Sequence, residues 1–285
     1  MNSLPYAFFD SVAELFDEEI IFSIVSKINS RKITSAFRSH QTNREFYNMT
    51  FMYAFVNGLF EWISLGTNHN SLSSSKFTYY NQICITDNED LGNRKTYVLP
   101  KDHFKIALNK MISHVRQPWL FIVETKGPPN QLSKEILDTL LMKFRFAEVD
   151  LPYWDHRSEE FFKQQVGNQT LKIVYLRGTW PESTSDILVS LVKQIQLQHL
   201  SYINNANLDF KLIEACYTKW SDRKGFRFEV FGTPNFSIND KFAETWRKVD
   251  EIWREYWRRD HPVFERMHLE CLQNGNKIEV RDKCF

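Results

Sequence analysis

The chain has 285 residues, of which 42% are hydrophobic and 15% aromatic. It is too apolar to stay disordered and long enough for one or two domains. Its 36 basic and 35 acidic side chains leave a net charge of +1, without the basic excess of a phosphate-neutralising protein, so nucleic acid is not an expected partner.

Residues 4–45 read as short helices. Leu4-Pro5 opens a segment with Phe8, Val12, Leu15 and Phe16 at helical spacing. Ile20, Ile21, Ile24, Val25 and Ile28 form a second stripe, and Ser30 suits the cap of a third turn carrying Ile33 and Phe37. Acidic residues interrupt Met1 to Ile21, so a signal peptide is not expected. No window approaches 18 apolar residues, so no membrane span is expected and a cytoplasmic or nuclear location follows.

Residues 46–90 change to period two and predict a β-hairpin and meander. Asn57-Gly58 supplies the pair that a type I′ turn favours, which sets Phe55 opposite Phe60, Tyr53 opposite Trp62 and Ala54 opposite Glu61. A third strand is expected over Phe77 to Thr86, followed by the polar linker Asp87 to Asn93.

Residues 91–285 carry a repeat. Apolar runs centred on Val98, Val123, Val149, Tyr175, Tyr202 and Val230 stand 25, 26, 26, 27 and 28 residues apart. Amphipathic stripes lie between them: Phe104 to Val115, Leu132 to Phe144, Ile187 to Ile195 and Leu208 to Trp220, with a shorter unit at Phe161, Phe162 and Val166. Pro100, Pro128, Pro152, Pro181 and Pro234 each follow a strand and suit the loop or first turn of a helix. One strand–helix unit cannot bury its own apolar face, whereas stacked copies can. The fold class expected is therefore α/β: a helical N-terminal head, a β-meander, then open repeated βα units with a parallel sheet. This is leucine-rich-repeat-like in architecture, without the Leu-x-x-Leu-x-Leu-x-x-Asn signature. The stripe Trp246, Val249, Trp253 and Trp257 reads as the core face of a long last helix over Ile238 to Trp257, or as a groove for a partner's helix, with the basic and acidic residues from Arg247 to Arg259 on its mixed face. His261-Pro262 reads as a helix stop and the polar tail Lys277 to Lys283 as part of a terminal cap.

The opening Asn2-Ser-Leu-Pro-Tyr-Ala-Phe-Phe-Asp-Ser-Val-Ala-Glu-Leu-Phe resembles the start of the nematode F-box and F-box-associated protein families. Lys172-Ile-Val-Tyr-Leu-Arg-Gly-Thr-Trp-Pro, Val192-Lys-Gln-Ile and Asn207-Leu-Asp-Phe extend the likeness over most of the chain. The Cys-Lys-x-Trp stretch of an F-box is absent; Ala36-Phe37-Arg38 stands roughly there. The resemblance implies a substrate receptor of a cullin-type ubiquitin ligase. Its head, residues 1–45, would bind a Skp1-like adaptor through Leu4, Pro5, Phe8, Val12 and Leu15, and its repeat domain would bind a target protein.

Candidate target-binding residues are Tyr153, Trp154 and His156 in one strand-exit loop and Arg177 and Trp180 at the next. In stacked units such loops line one edge, and interface anchors favour Trp, Tyr and Arg. The alternative is that these rings fold back as lids over the helix ends. No catalytic residue, metal ligand or cofactor is expected. Asp155-His156 with Glu159 and Glu160 matches no catalytic or zinc motif, Gly127-Pro-Pro-Asn is a turn, and Cys84, Cys216, Cys271 and Cys284 are scattered. A repeat scaffold without a ubiquitin link, and an α/β enzyme with its site in the strand-exit loops, are the rival readings.

Overall fold

The computed structural model describes residues 5–14, 18–43, 45–56, 59–65, 78–86, 97–99, 120–124, 137–138, 144–222, 225–251, 254–264 and 267–284. The expected helix at Phe104 to Val115, most of that at Leu132 to Phe144, the linker Asp87 to Asn93, and Leu4, Leu15 and Trp253 lie outside them. No helix among the described residues is long and apolar enough to cross a membrane.

Three helices come first: α1 (Tyr6–Glu14), α2 (Glu18–Lys27) and α3 (Arg31–Asn43). They share a small core of Phe9, Ala13, Ile21, Ile33, Ala36 and Phe37. One polar pair joins α1 to α3 inside it, the fully buried His40 with Nε2 3.1 Å from Asp10 Oδ1.

The strands are β1 (Glu45–Val56), β2 (Leu59–Leu65), β3 (Thr78–Thr86), β4 (Tyr97–Leu99), β5 (Leu120–Glu124), β6 (Glu148–Pro152), β7 (Ile173–Gly178), β8 (His199–Leu208), β9 (Arg227–Pro234), β10 (Arg247–Glu251), β11 (Arg254–Asp260), β12 (Met267–Asn274) and β13 (Lys277–Cys284). They form one 13-stranded sheet in the order β10-β11-β12-β13-β9-β8-β7-β6-β5-β3-β1-β2-β4. From β9 to β1 every pairing is parallel. Both flanks are antiparallel, so the sheet is mixed: the β1–β2 hairpin was expected, whereas β10 to β13 depart from the parallel sheet expected of the repeat domain.

The hairpin β1–β2 closes as its turn sequence demands, with Val56 opposite Leu59, Phe55 opposite Phe60 and Tyr53 opposite Trp62. The meander does not follow. β3 lies on the other side of β1 and runs parallel to it. The Val98 run is β4, antiparallel beside β2, and not the first unit of the repeat; β3 takes the place beside β5. The remaining centres, Val123 to Val230, sit on β5 to β9 in consecutive positions, as a regular period requires.

The connections carry α4 (His156–Gly167), α5 (Thr184–Val192), α6 (Phe210–Asp222) and the single turn α7 (Ile238–Phe242). The Phe161 unit is thus a helix of 12 residues. Right-handed crossovers between consecutive parallel strands bring successive helices to the same side of a sheet. Accordingly, Phe161, Phe162, Leu188, Leu191, Ile213 and Trp220 share one core with Val149, Val174, Leu200 and Val230. Each such fully buried side chain contributes about 1.5–3 kcal/mol. Pro152 and Pro234 are the last residues of β6 and β9, and among the described prolines of the repeat only Pro181 precedes a helix start, while Pro100 and Pro128 lie outside the described residues.

The C-terminal region departs most from expectation. The stretch Ile238 to Trp257 is not one helix: α7 stops at Phe242, whose ring stacks on Trp246 at 4.7 Å, and β10 and β11 follow as a hairpin. Arg247 to Arg259 therefore lies largely on strands, not on a helix face. The tail Lys277 to Lys283 is no cap but β13, inserted between β12 and β9 with Ile278 and Val280 in the core. His261 stops a strand rather than a helix. Its Nδ1 accepts from the N–H groups of Val263 and Phe264 at 3.0 and 3.1 Å, and its Nε2 lies 3.2 Å from the Trp220 carbonyl.

One cation clamps this hairpin onto the helices. Arg259 Nη1 donates to Glu214 Oε1 on α6 at 2.9 Å, and its guanidinium lies 3.2 Å from the centroid of the Tyr217 ring. Arg259→Ala is expected to cost about 2 kcal/mol in urea unfolding, from the cation–π contact and the charge-assisted bond together. Arg259→Lys should recover less than half, since an ammonium cannot both stack and fork.

Candidate functional site: the strand exits and the sheet face away from the helices

The strand-exit residues separate into three environments. β7 ends at Gly178, whose φ of +102° turns the chain back toward the sheet and which abuts the Tyr153 backbone. That turn carries Trp180 inward. It is 1% exposed, its backbone N–H donates to Asn204 Oδ1 at 3.1 Å, and its Nε1 donates to the Arg177 carbonyl at 3.0 Å. Trp180 is therefore corrected from a rim residue to a core residue, packed 5.8 Å from the Phe162 ring.

Tyr153 lies half-buried over it, with ring centroids 5.2 Å apart, and its backbone N–H donates to that same Arg177 carbonyl at 2.8 Å. Burial raises its phenol above the ordinary value, and the Glu159 and Asp155 carboxylates push the same way. Trp154 is half-buried against the core, and its N–H donates to Ser158 Oγ at 3.1 Å. These rings act as lids on the helix ends. His156 is exposed at the start of α4, where Asp155 already caps the helix by accepting from the Arg157 N–H. A free helix N-terminus is thus not on offer there.

Arg177 points the other way. Its Nε and Nη2 both reach Asp150 Oδ1, at 2.9 and 2.8 Å, across the β6–β7 pairing. Side chains alternate along a strand. With Val174 and Leu176 in the core, Tyr175 and Arg177 occupy the face away from the helices. So do His199, Ser201 and Ile203 on β8, and Arg227, Glu229 and Phe231 on β9, since Leu200, Tyr202, Phe228 and Val230 are core.

That face is paved with rings and charges. Tyr175 packs against His199 with centroids 5.1 Å apart, Lys277 Nζ sits 5.3 Å over the Phe231 ring, and Ile203 is exposed. Burial, then the Glu148 and Asp150 carboxylates, raises the Tyr175 phenol. Parallel strands normally read as continuous apolar runs because both faces are covered. Here polar residues at alternate positions of β7, β8 and β9 carry that signal, and sequence reading missed it by weighing loops alone.

His199 gives the face a pH dependence. Burial holds its imidazole below the ordinary histidine value, more than the nearby Asp282 carboxylate offsets, and Arg227 adds to the lowering. The unfolded chain then takes up the proton first, so this contribution to stability is full above about pH 6.5 and falls as the pH drops through that value. Melting temperature is expected to fall between pH 7.5 and 5.5, and His199→Gln should reduce the fall. An equal fall in the variant would remove His199 as its source.

Of the expected adaptor-binding residues, Phe8 is 49% exposed and Pro5 is exposed, while Val12 is half-buried against the small helical core. Among the described residues no group of three or more His, Cys, Asp and Glu side chains is placed to hold a metal ion. Burial raises the Cys216 and Cys271 thiols well above the ordinary range, which makes them poor nucleophiles. No family model matches the chain, and no curated protein matches it.

Proposed function

We propose that the chain is a noncatalytic adaptor, a substrate receptor of a cullin-type ubiquitin ligase, that binds its target protein on the sheet face away from the helices. The observation that carries this reading is the alternation of β7, β8 and β9. Those parallel strands sink one side into the helical core and hold Tyr175, Arg177, His199, Ile203 and Phe231 on the other. Half-buried rings framed by paired charges suit a protein partner, because ordered aromatic and Arg side chains lose little entropy on binding. Consecutive βα units from β6 to β9 agree with a leucine-rich-repeat-like stack, in which such a face is the interaction surface.

The Skp1-like adaptor belongs to the other end. Tyr6 and Phe8 on α1 and Phe22 on α2 expose rings from helices whose inner sides are already packed, which supports an F-box-like role for the head. The target-binding half is tested by quantitative capture from cells with the full chain and with Tyr175→Asp/Ile203→Asp. Proteins that co-purify with the parent are expected to be lost from the variant, while the Skp1-like adaptor is retained. Recovery of the same proteins by both chains, with the variant's circular dichroism unchanged, would rule the face out.

A further inference from the structure

We propose that the cleft between α2 and α3 is a binding site for a phosphate-bearing ligand, a function separate from the target surface. The cleft encloses ≈ 710 Å³ and is lined from the end of α2, through the connecting loop, to the last turn of α3. Lys27, Arg31 and Arg38 line it, and no Asp or Glu does. The sequence shows the same bias over a longer reach. Between Ile20 and Arg44 stand Lys27, Arg31, Lys32, Arg38 and Arg44 and not one of the chain's 35 acidic residues. A solvated helix face ordinarily mixes both signs, and such mixing is what this chain does elsewhere, as at Arg247 to Asp260.

The donors are of the kind a phosphate takes. Arg31, Ser35, Arg38 and Ser39 fall at i, i+4, i+7 and i+8 on α3, a stripe opposite the buried Ile33, Ala36, Phe37 and His40. Three lining hydroxyls are already spent on backbone carbonyls: Ser26 donates to Ser23, Thr34 to Ile28 and Thr42 to Arg38, each at 2.9 Å. Among the described residues Ser30, Ser35 and Ser39 donate to nothing, and Lys27, Arg31 and Arg38 face no carboxylate. Two guanidinium forks, one ammonium and three hydroxyls free to donate, of which Ser39 Oγ accepts from Asn43 Nδ2 at 3.5 Å, match a group with several acceptor oxygens and more than one negative charge. The Thr34 bond to the Ile28 carbonyl fixes the loop that joins the two walls, so the cleft is shaped before a ligand arrives.

Phosphate oxygens of this kind occur on soluble polyphosphates and on phosphoinositide headgroups, and the test separates the two. Inorganic tripolyphosphate is titrated calorimetrically into the full chain at low and physiological salt. In parallel, the chain is sedimented with phosphatidylcholine vesicles with and without a phosphatidylinositol phosphate. Saturable tripolyphosphate binding that weakens with salt assigns a soluble ligand. Retention on the phosphoinositide vesicles alone assigns the headgroup. In either case Arg31→Glu/Arg38→Glu is expected to lower affinity by about tenfold or more for each charge, whereas Arg38→Lys keeps most of it. Absence of saturable binding in both arms overturns the proposal, and so does equal binding by the charge-reversed chain with its helical dichroism intact.

Discussion

Trp180→Ala is expected to destabilise the protein by about 3–5 kcal/mol, the range for deleting a large aromatic from a packed interior. The indole is 1% exposed and lies between the Tyr153 and Phe162 rings. It also donates to the Arg177 carbonyl, which Tyr153 N–H shares, so its loss loosens the exit of β6 as well as that of β7. In a chain of this size, about 3–5 kcal/mol corresponds to a fall in melting temperature of about 8–15 °C. Trp180→Phe fills part of the volume but leaves that carbonyl one donor short, and an intermediate loss is expected. A shift under about 1 kcal/mol for Trp180→Ala would contradict its core placement.

The second large effect is expected at Glu270. It lies on β12, 3% exposed, with its Oε1 3.3 Å from His268 Nε2. The pairing register sets Arg258 on β11 and Arg281 on β13 directly opposite it. A carboxylate so far from water is tolerated only where donors and cations surround it. Arg258 Nε already meets Asp260 Oδ1 and Arg281 Nη1 meets Glu279 Oε1, each at 2.6 Å, so Glu270→Ala chiefly takes the buried carboxylate away from His268, at an expected cost of about 3 kcal/mol. Glu270→Gln keeps the shape and one acceptor and should cost less. Chemical unfolding of the three proteins gives the ranking, and equal stability of Glu270→Ala and the parent would show that neighbouring residues already balance the cations.

The order of strands and helices was legible where two physical signals coincided. A 26-residue spacing of apolar runs and an amphipathic stripe between them left few alternatives, and β5 to β9 with α4 to α6 follow it. Asn57-Gly58 likewise fixed a hairpin register, because turn geometry dictates which residues face each other. The failures came where periodicity was ambiguous. Trp246, Val249, Trp253 and Trp257 mimic a helical stripe, yet β10 and β11 pair as strands, and their Arg, Lys, Asp and Glu residues suit an edge that must not recruit another strand. Their strand state depends on β12 and β13, which no local pattern announces. Ile278 and Val280 do alternate with Glu279 and Arg281, but the insertion of β13 between β12 and β9 is a long-range choice that local sequence does not encode.

The candidate site was half legible. Arg177 and its neighbours share a face by strand alternation, not by loop position. Trp180 was chosen for its strand-exit position, and it follows the alternative of a ring folded back into the core because Gly178, at φ +102°, carries it inward. On α1 the stripe was read through Phe8 and Val12, whereas Phe9 and Ala13 supply the buried side of the helix and Phe8 is exposed.

The ligase-receptor reading is tested most directly by size-exclusion chromatography of the full chain mixed with a purified Skp1-like adaptor, alongside the Phe8→Asp variant. Co-elution as one complex with the parent, and separate elution with a folded variant, is the predicted result. Separate elution of the parent and adaptor at concentrations well above those in the cell would contradict it.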